Sequence, residues 1–286
     1  MNAMPYSHID VKPLTGSLGA EIFGVDLGQP LSPEQLADIR QALLDHLVIF
    51  FRDQDITPAQ HITFGRHFGE LHIHPFIPSL EGYPEILQLG GKQPGPSKYS
   101  RNANVWHTDL TYSQDPPMGS ILHGLEVPEA GGDTMFANLY AAYEGLSDRI
   151  QHLLSDMVAV HSVTQTKTVH ELSSVEELKQ LTWAMESVPP AEHPVIRVHE
   201  ETGRKALFVN SNFTAFLKDV SEHESNALLA MLNEHINHPE YQCRFRWRKY
   251  SLAFWDNRCT QHYALADYAT MRRMHRVTVC GAQPAT

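Results

Sequence analysis

A β-sandwich or jelly roll with helices packed outside it is the fold this sequence predicts: mainly β, with an α+β admixture of flanking helices. Three observations carry the prediction. Short strand-like runs recur through the last two thirds of the chain: VWHTDLTY, GSILHGLEV, DTMFAN, MVAVHSV, HPVIRVH, KALFVN, YQCRFRW, SLAFWD and HRVTVCG. Turn residues separate them, the pattern of short strands folded back on one another. Helix-start signals are few, and no internal repeat or low-complexity tract interrupts the pattern.

The elements follow in order. Ser32-Pro33-Glu34-Gln35 is a capping box with proline at the first helical position, so a helix is expected from there to about Asp45. Val48 to Phe51, VIFF, is a buried strand. Thr57-Pro58-Ala59-Gln60 repeats the start signal, for a second helix ending near Gly69. From Gly90 to Asn104 the chain is rich in Gly, Pro and Ser with almost no apolar anchor, which predicts a long lid-like loop. Two helical stretches interrupt the later strands, roughly Tyr140 to Asp156 and Ser221 to Ile236. The second opens on another capping box, Ser221 with Glu224.

Composition bounds the function. Hydrophobic residues make up 42% of the 286, enough for an ordinary core in one large domain or two small ones. With 22 basic and 33 acidic residues the formal charge is −11, which argues against a nucleic-acid partner, since that needs a basic face to displace counterions from phosphate. No apolar run is long enough to span a membrane, and MNAMPYSHIDVKPL lacks the pattern of a secretory signal. Cys243, Cys259 and Cys280 are odd in number and show no CxxC spacing, as expected of reduced thiols in a cytoplasmic protein.

Eighteen histidines make a metal search worthwhile. Two histidines and a carboxylate on one face leave the opposite face of an iron(II) ion open, and His-x-Asp on a strand supplies two of the three, because residues i and i+2 point the same way. The pattern His-x-Asp/Glu occurs at His8–Asp10, His107–Asp109, His199–Glu201 and His238–Glu240. The first is terminal, the last contains Pro239, and His199–Glu201 runs into the turn Thr202-Gly203. His107–Asp109 alone sits in a strand-like run, directly after the long loop. Far downstream, His262 is the candidate third ligand, followed by Arg272 and Arg276. If MRRMHRVTV is a strand, Arg272, Met274, Arg276 and Thr278 share one face and Arg273 and His275 the other. Guanidinium groups on a buried face require anions, and their fork geometry suits a carboxylate such as that of a keto-diacid.

These blocks, in the order GAEIFGVDL, VIFFRDQ, FGELHIHP, WHTDLTY, GGDTMFAN, ALFVN and WDNRCTQHYALADY, resemble the taurine dioxygenase and 2,4-dichlorophenoxyacetate dioxygenase family over nearly the whole chain. The resemblance implies a double-stranded β-helix of the clavaminate synthase-like type, one catalytic domain over residues 1–286, and iron(II), 2-oxoglutarate and dioxygen as cofactor and cosubstrates. It implies iron ligands at His107, Asp109 and His262, and Thr134 with Arg272 on one carboxylate of 2-oxoglutarate. Arg272 is chosen over Arg273 because the family spaces its two arginines four apart. Arg276 and His74 would face the acidic head of a small anionic substrate, with Tyr112 and Phe213 as pocket aromatics. The resemblance also implies a homo-oligomer, a dimer or a tetramer.

The chemistry implied is oxidative decarboxylation of 2-oxoglutarate to succinate and carbon dioxide, coupled to hydroxylation of a substrate C–H bond. For a sulfonate, hydroxylation beside sulfur gives a product that collapses to aldehyde and sulfite. Members that take taurine carry a tyrosine where this chain has Ile77 and an asparagine where it has Ala103. Both departures point to a less polar tail: an alkyl sulfonate first, or alternatively an alkyl sulfate ester or an aryloxy or other carboxylate. Two rivals come from other classes. A zinc hydrolase uses the same ligand types, but there is no HExxH and hydrolysis gives Arg272 no role. A non-catalytic binding protein on the same fold leaves the triad and its arginines without a purpose.

Overall fold

The computed structural model describes residues 6–74, 79–96, 103–165 and 188–281. Its largest element is an eight-stranded sheet in the order β1-β2-β3-β14-β6-β16-β5-β4. These strands are β1 (Asp10–Pro13), β2 (Ala20–Phe23), β3 (Val48–Phe51), β4 (Ser79–Leu80), β5 (Tyr83–Gly90), β6 (Gly119–Glu126), β14 (Leu252–Asp256) and β16 (Arg273–Val279). A three-stranded sheet, β13-β7-β15, is built from β7 (Thr134–Asn138), β13 (Gln242–Phe245) and β15 (Thr260–Ala264). A second three-stranded sheet, β12-β8-β9, joins β8 (Val158–His161), β9 (Ala191–Pro194) and β12 (Thr214–Leu217), and β10 (Ile196–Val198) pairs with β11 (Lys205–Leu207).

The sequence of β3 explains why the large sheet is covered on both sides. Val48 and Phe50 point into a core shared with Phe136, Phe245 and Trp255, and Phe50 stacks on Phe245 with ring centroids 3.9 Å apart. Ile49 and Phe51 point the other way, into a core closed by Ile39, Leu43 and Phe64. Strand β14 repeats the alternation, with Ala253 and Trp255 inward and Leu252 and Phe254 outward. An all-apolar strand reads this way when both faces are buried.

The outer cover is α1 (Pro33–His46) and α2 (Pro58–Arg66); α3 (Leu139–Glu144), α4 (Asp148–Leu154) and α5 (Glu222–Ile236) follow later in the chain. The expected capping boxes form at Ser32, Thr57 and Ser221. The helix expected from Tyr140 to Asp156 is instead two, α3 and α4. Gly145 closes the first, where a Cβ would run into the Tyr241 hydroxyl, and Ser147, extended at φ −64° and ψ 151°, starts the second.

The run VWHTDLTY departs most from expectation. It is not a strand: only His107 pairs, through an isolated antiparallel bridge to His262, and the chain then turns. Leu110 sits at φ 53°, a left-handed conformation uncommon for a residue with a bulky side chain. The cause is Asp109, which is drawn across to the large sheet by Ser120 and Arg276, away from β15, to which His107 is bridged. Strand β15, which carries His262, was not among the expected strands. The three cysteines are free, and among the described residues no helix is long and apolar enough to cross a membrane.

Candidate active site

His107 and His262 are a directly hydrogen-bonded backbone pair, with N–H···O distances of 3.1 and 2.8 Å, so their side chains leave on the same face. Their rings lie 4.2 Å apart between centroids. The Nδ1 of His107 is 2.8 Å from the Val105 carbonyl, which only accepts. That nitrogen therefore carries the proton, and Nε2 is left with its lone pair. His262 has no hydrogen bond at Nδ1 among the described residues; its ring is held by packing instead, 4.8 Å from Trp255 and 6.2 Å from Phe136.

Both Nε2 atoms are 3.9 Å from the same Asp109 oxygen, Oδ1. That is too far for a hydrogen bond and within the span of two donors sharing a first-row divalent ion, whose bonds to nitrogen and oxygen are roughly 2.0–2.2 Å. Donor atoms of all three residues lie within 4.8 Å of one another, and all three residues are buried. Burial, with a smaller contribution from His107, pushes His262 down to about 3, and burial also lowers His107. For Asp109 burial acts upward, but Arg276 and the two histidines together outweigh it and hold the carboxyl well below its ordinary range. Two neutral imidazoles beside one carboxylate are the protonation states a metal requires, so the residues fit the ion the sequence implies.

Asp109 ties the turn after His107 to the large sheet. Ser120 on β6 donates to its Oδ2 at 2.8 Å and Arg276 on β16 to its Oδ1 at 2.9 Å. The expected alternation of β16 holds: Met274 enters the inner core and Thr278 approaches Ser120, while Val277 packs on Ile62 beneath α2. Arg272, just before the strand, is buried with no hydrogen-bond partner for its Nε among the described residues, whereas Arg273 is exposed. The segment GGDT closes over Arg272. Gly132, at φ 70°, comes so near that a Cβ there would lie 3.2 Å from Arg272 Cδ. Thr134, two residues on, is buried and accepts from the indole of Trp247 at 2.9 Å.

The remaining predicted residues surround this centre. His74 is buried beside Arg276 and His72, its ring 5.8 Å from that of His72; burial first and Arg276 second press it down to about 3. Tyr112 and Phe213 form one apolar cluster with Leu110, and partly buried Val163 and Val188 pack against it. The Tyr112 and Phe213 rings are 5.1 Å apart, and Phe213 lies 6.3 Å from the ring of His107. Ala103 accepts from the amide of Ala264 at 3.0 Å, next to β15. Ile77 and residues 97–102 of the expected lid-like loop lie outside the described residues.

Of the other His-x-acid pairs, only His199 is deeply buried. Its Nδ1 accepts from the amides of Glu201 and Thr202, so Nε2 carries the proton and donates to Asp256 at 3.0 Å. That nitrogen is not available to a metal. Sequence reasoning missed Ser120, Trp247 and His72; they carry no motif of their own and are recruited by the fold.

Compared with known proteins, residues 10–278 match the model of the taurine catabolism dioxygenase TauD, TfdA family. An alkylsulfatase of Acinetobacter baylyi is 36% identical, over 97% of this chain and 86% of its own. An alpha-ketoglutarate-dependent sulfate ester dioxygenase of Pseudomonas putida is 37% identical, over 96% and 91%. Among solved structures, a taurine dioxygenase from Burkholderia xenovorans superposes with a TM-score of 0.82 at 38% identity, covering 96% of this chain and 90% of that one.

Proposed function

Because the chain belongs to the taurine catabolism dioxygenase TauD, TfdA family, and is thus a jelly-roll dioxygenase that uses iron(II), 2-oxoglutarate and dioxygen, we propose that its substrate is an alkyl chain bearing a sulfur oxyanion. A sulfate ester is the first choice within that class, in keeping with the names of the relatives at 36 and 37% identity. A sulfonate is the second, favoured by the likeness to the taurine dioxygenase structure. The observation that carries the reading is a polar head site, the charged Arg276 beside the neutral imidazole of His74, set against an apolar wall of Leu110, Tyr112 and Phe213.

In this reading His107, Asp109 and His262 hold the metal. Iron held there would supply the site at which dioxygen, the oxidant, gives one oxygen atom to succinate as 2-oxoglutarate loses carbon dioxide and the other to the substrate, turning C–H into C–OH. Arg272 and Thr134 fix one carboxylate of 2-oxoglutarate, a guanidinium with an unpartnered nitrogen and a hydroxyl already oriented by Trp247. Arg276 and His74 hold the sulfur oxyanion, so the carbon attached to it is presented to the metal. The aromatic wall packs on the tail and keeps water from the reacting centre. A hydroxyl installed on that carbon collapses to an aldehyde, releasing sulfate from an ester or sulfite from a sulfonate.

Ion chromatography after turnover of hexyl sulfate and hexanesulfonate tests the order. Sulfate with hexanal from the ester supports the first choice, and sulfite with hexanal from the sulfonate alone supports the second. Neither ion from either compound sinks the organosulfur reading. A cytoplasmic setting and an assembly of two or four copies belong to the same proposal, supported by the three free thiols and by the family resemblance; fractionation and light scattering measure them.

A further inference from the structure

Behind the aromatic wall lies a buried polar node that the reaction itself does not use. Asn210, in the turn between β11 and β12, is 1% exposed. Its Nδ2 donates to Thr111 Oγ1 at 3.0 Å, while its Oδ1 accepts the amides of Asn212 at 3.1 Å and Phe213 at 2.9 Å. A single side-chain amide therefore ties the loop of Phe213 to the turn that carries Tyr112. Thr111 is fixed from the other side as well, its hydroxyl lying 2.9 Å from Nδ1 of His161 on β8. His193 on β9 completes the anchorage. Its Nε2 lies 2.9 and 3.0 Å from the carbonyls of Thr111 and Ser113, which only accept, so it donates to both residues flanking Tyr112.

We propose that the Asn210–Thr111 hydrogen bond sets the separation of Phe213 and Tyr112 and, through it, the length of alkyl chain the pocket accepts. Asn210 and Thr111 are positioning residues, because their hydrogen bonds among the described residues go to the backbone and side chains around Phe213 and Tyr112; each acts through the aromatic beside it. The inference rests on the organosulfur reading above for the identity of the tail. Its physical basis is that a buried amide bonded at both its nitrogen and its oxygen has one arrangement, whereas losing one partner releases both loops.

The test compares wild type with Thr111→Val, which keeps the shape and removes the hydroxyl, Thr111→Ser, which restores it, and Asn210→Ala. Amide hydrogen exchange of Asn212 and Phe213 reads the clamp without any substrate. Exchange is expected to quicken about tenfold or more in the valine and alanine variants and to return towards wild type with serine. The kcat/KM values of the iron- and 2-oxoglutarate-loaded enzyme for ethyl, butyl, hexyl and octyl sulfate read selectivity. The ratio between longest and shortest is expected to move roughly tenfold in Thr111→Val, through KM for the sulfate, with KM for 2-oxoglutarate unchanged. Unchanged exchange, or an equal slowing at every chain length, overturns the proposal. If wild type oxidises none of the series, the substrate reading and the chain-length claim fall together. The exchange comparison still decides separately whether the clamp holds the wall.

Discussion

At the scale of single residues, the candidate site is a set of opposed charges whose removal has distinct signatures. Replacing His107 or Asp109 by alanine is expected to abolish both turnover and calorimetric binding of iron(II) by the apo-protein. Retained binding would move the metal elsewhere. Arg272 and Arg273 offer a sharper contrast, since one is buried with a nitrogen that has no partner among the described residues and the other is exposed. Losing a buried guanidinium that pairs with a carboxylate costs about 2 kcal/mol or more, roughly 30-fold. Arg272→Ala is therefore expected to raise KM for 2-oxoglutarate by that factor and Arg273→Ala to leave it nearly unchanged. The reverse ranking would show that the wrong arginine has been assigned. Strand alternation put the two on opposite faces and the spacing implied by the family resemblance chose Arg272, but the sequence contained nothing to reveal Ser120 or Trp247, whose roles exist only once distant strands lie side by side.

Among the elements, the turn that carries the chain from β14 in the large sheet to β15 in the sheet β13-β7-β15 positions His262, and it is pinned by buried charge. Asp256 binds Arg258 through both oxygens at 2.9 and 2.6 Å and accepts from His199; burial acts upward on its carboxyl, but these partners pull it down to about 2. Breaking one side of such a pair costs about 3–5 kcal/mol, because the partner is left buried and uncompensated. Asp256→Asn should show that loss in denaturant unfolding, and a change under about 1 kcal/mol would mean the pair is solvated in practice. Helices were legible from their caps, because Ser32, Thr57 and Ser221 act locally. The segment from His107 to Tyr112 was not. Its alternation matched a strand, but the pull of Ser120 and Arg276 on Asp109 comes from the opposite sheet and overrides it.

Over the whole molecule, the jelly roll was foreseeable from the number of short strands, whereas their order in the large sheet depends on pairings between residues as far apart as β3 and β14. The face beneath α2 carries a consequence for pH. His61, His123 and His275 cluster there, all buried; burial first, and mutual repulsion second for His61 and His275, lowers them, His61 to about 3 and His275 to about 4 from an ordinary 6.5. A histidine whose folded value is depressed binds more protons when unfolded. Its neutral form thus contributes stability that is complete above pH 6.5 and is lost as pH falls towards the folded values. Each contributes a slope of up to about 1.4 kcal/mol per pH unit in that window. The midpoint temperature is expected to fall steadily from pH 6.5 to 4, and His275→Gln to shallow that fall. An unchanged slope in the variant would take His275 out of the cluster's effect.

The most direct test of the central claim is the stoichiometry of succinate and aldehyde formed by the iron-loaded protein with 2-oxoglutarate, with and without hexyl sulfate. The ester is expected to raise succinate well above the substrate-free rate, with one hexanal for each succinate. Succinate that stays at background with every sulfate ester and sulfonate offered, in protein independently found to bind both iron and 2-oxoglutarate, would contradict it.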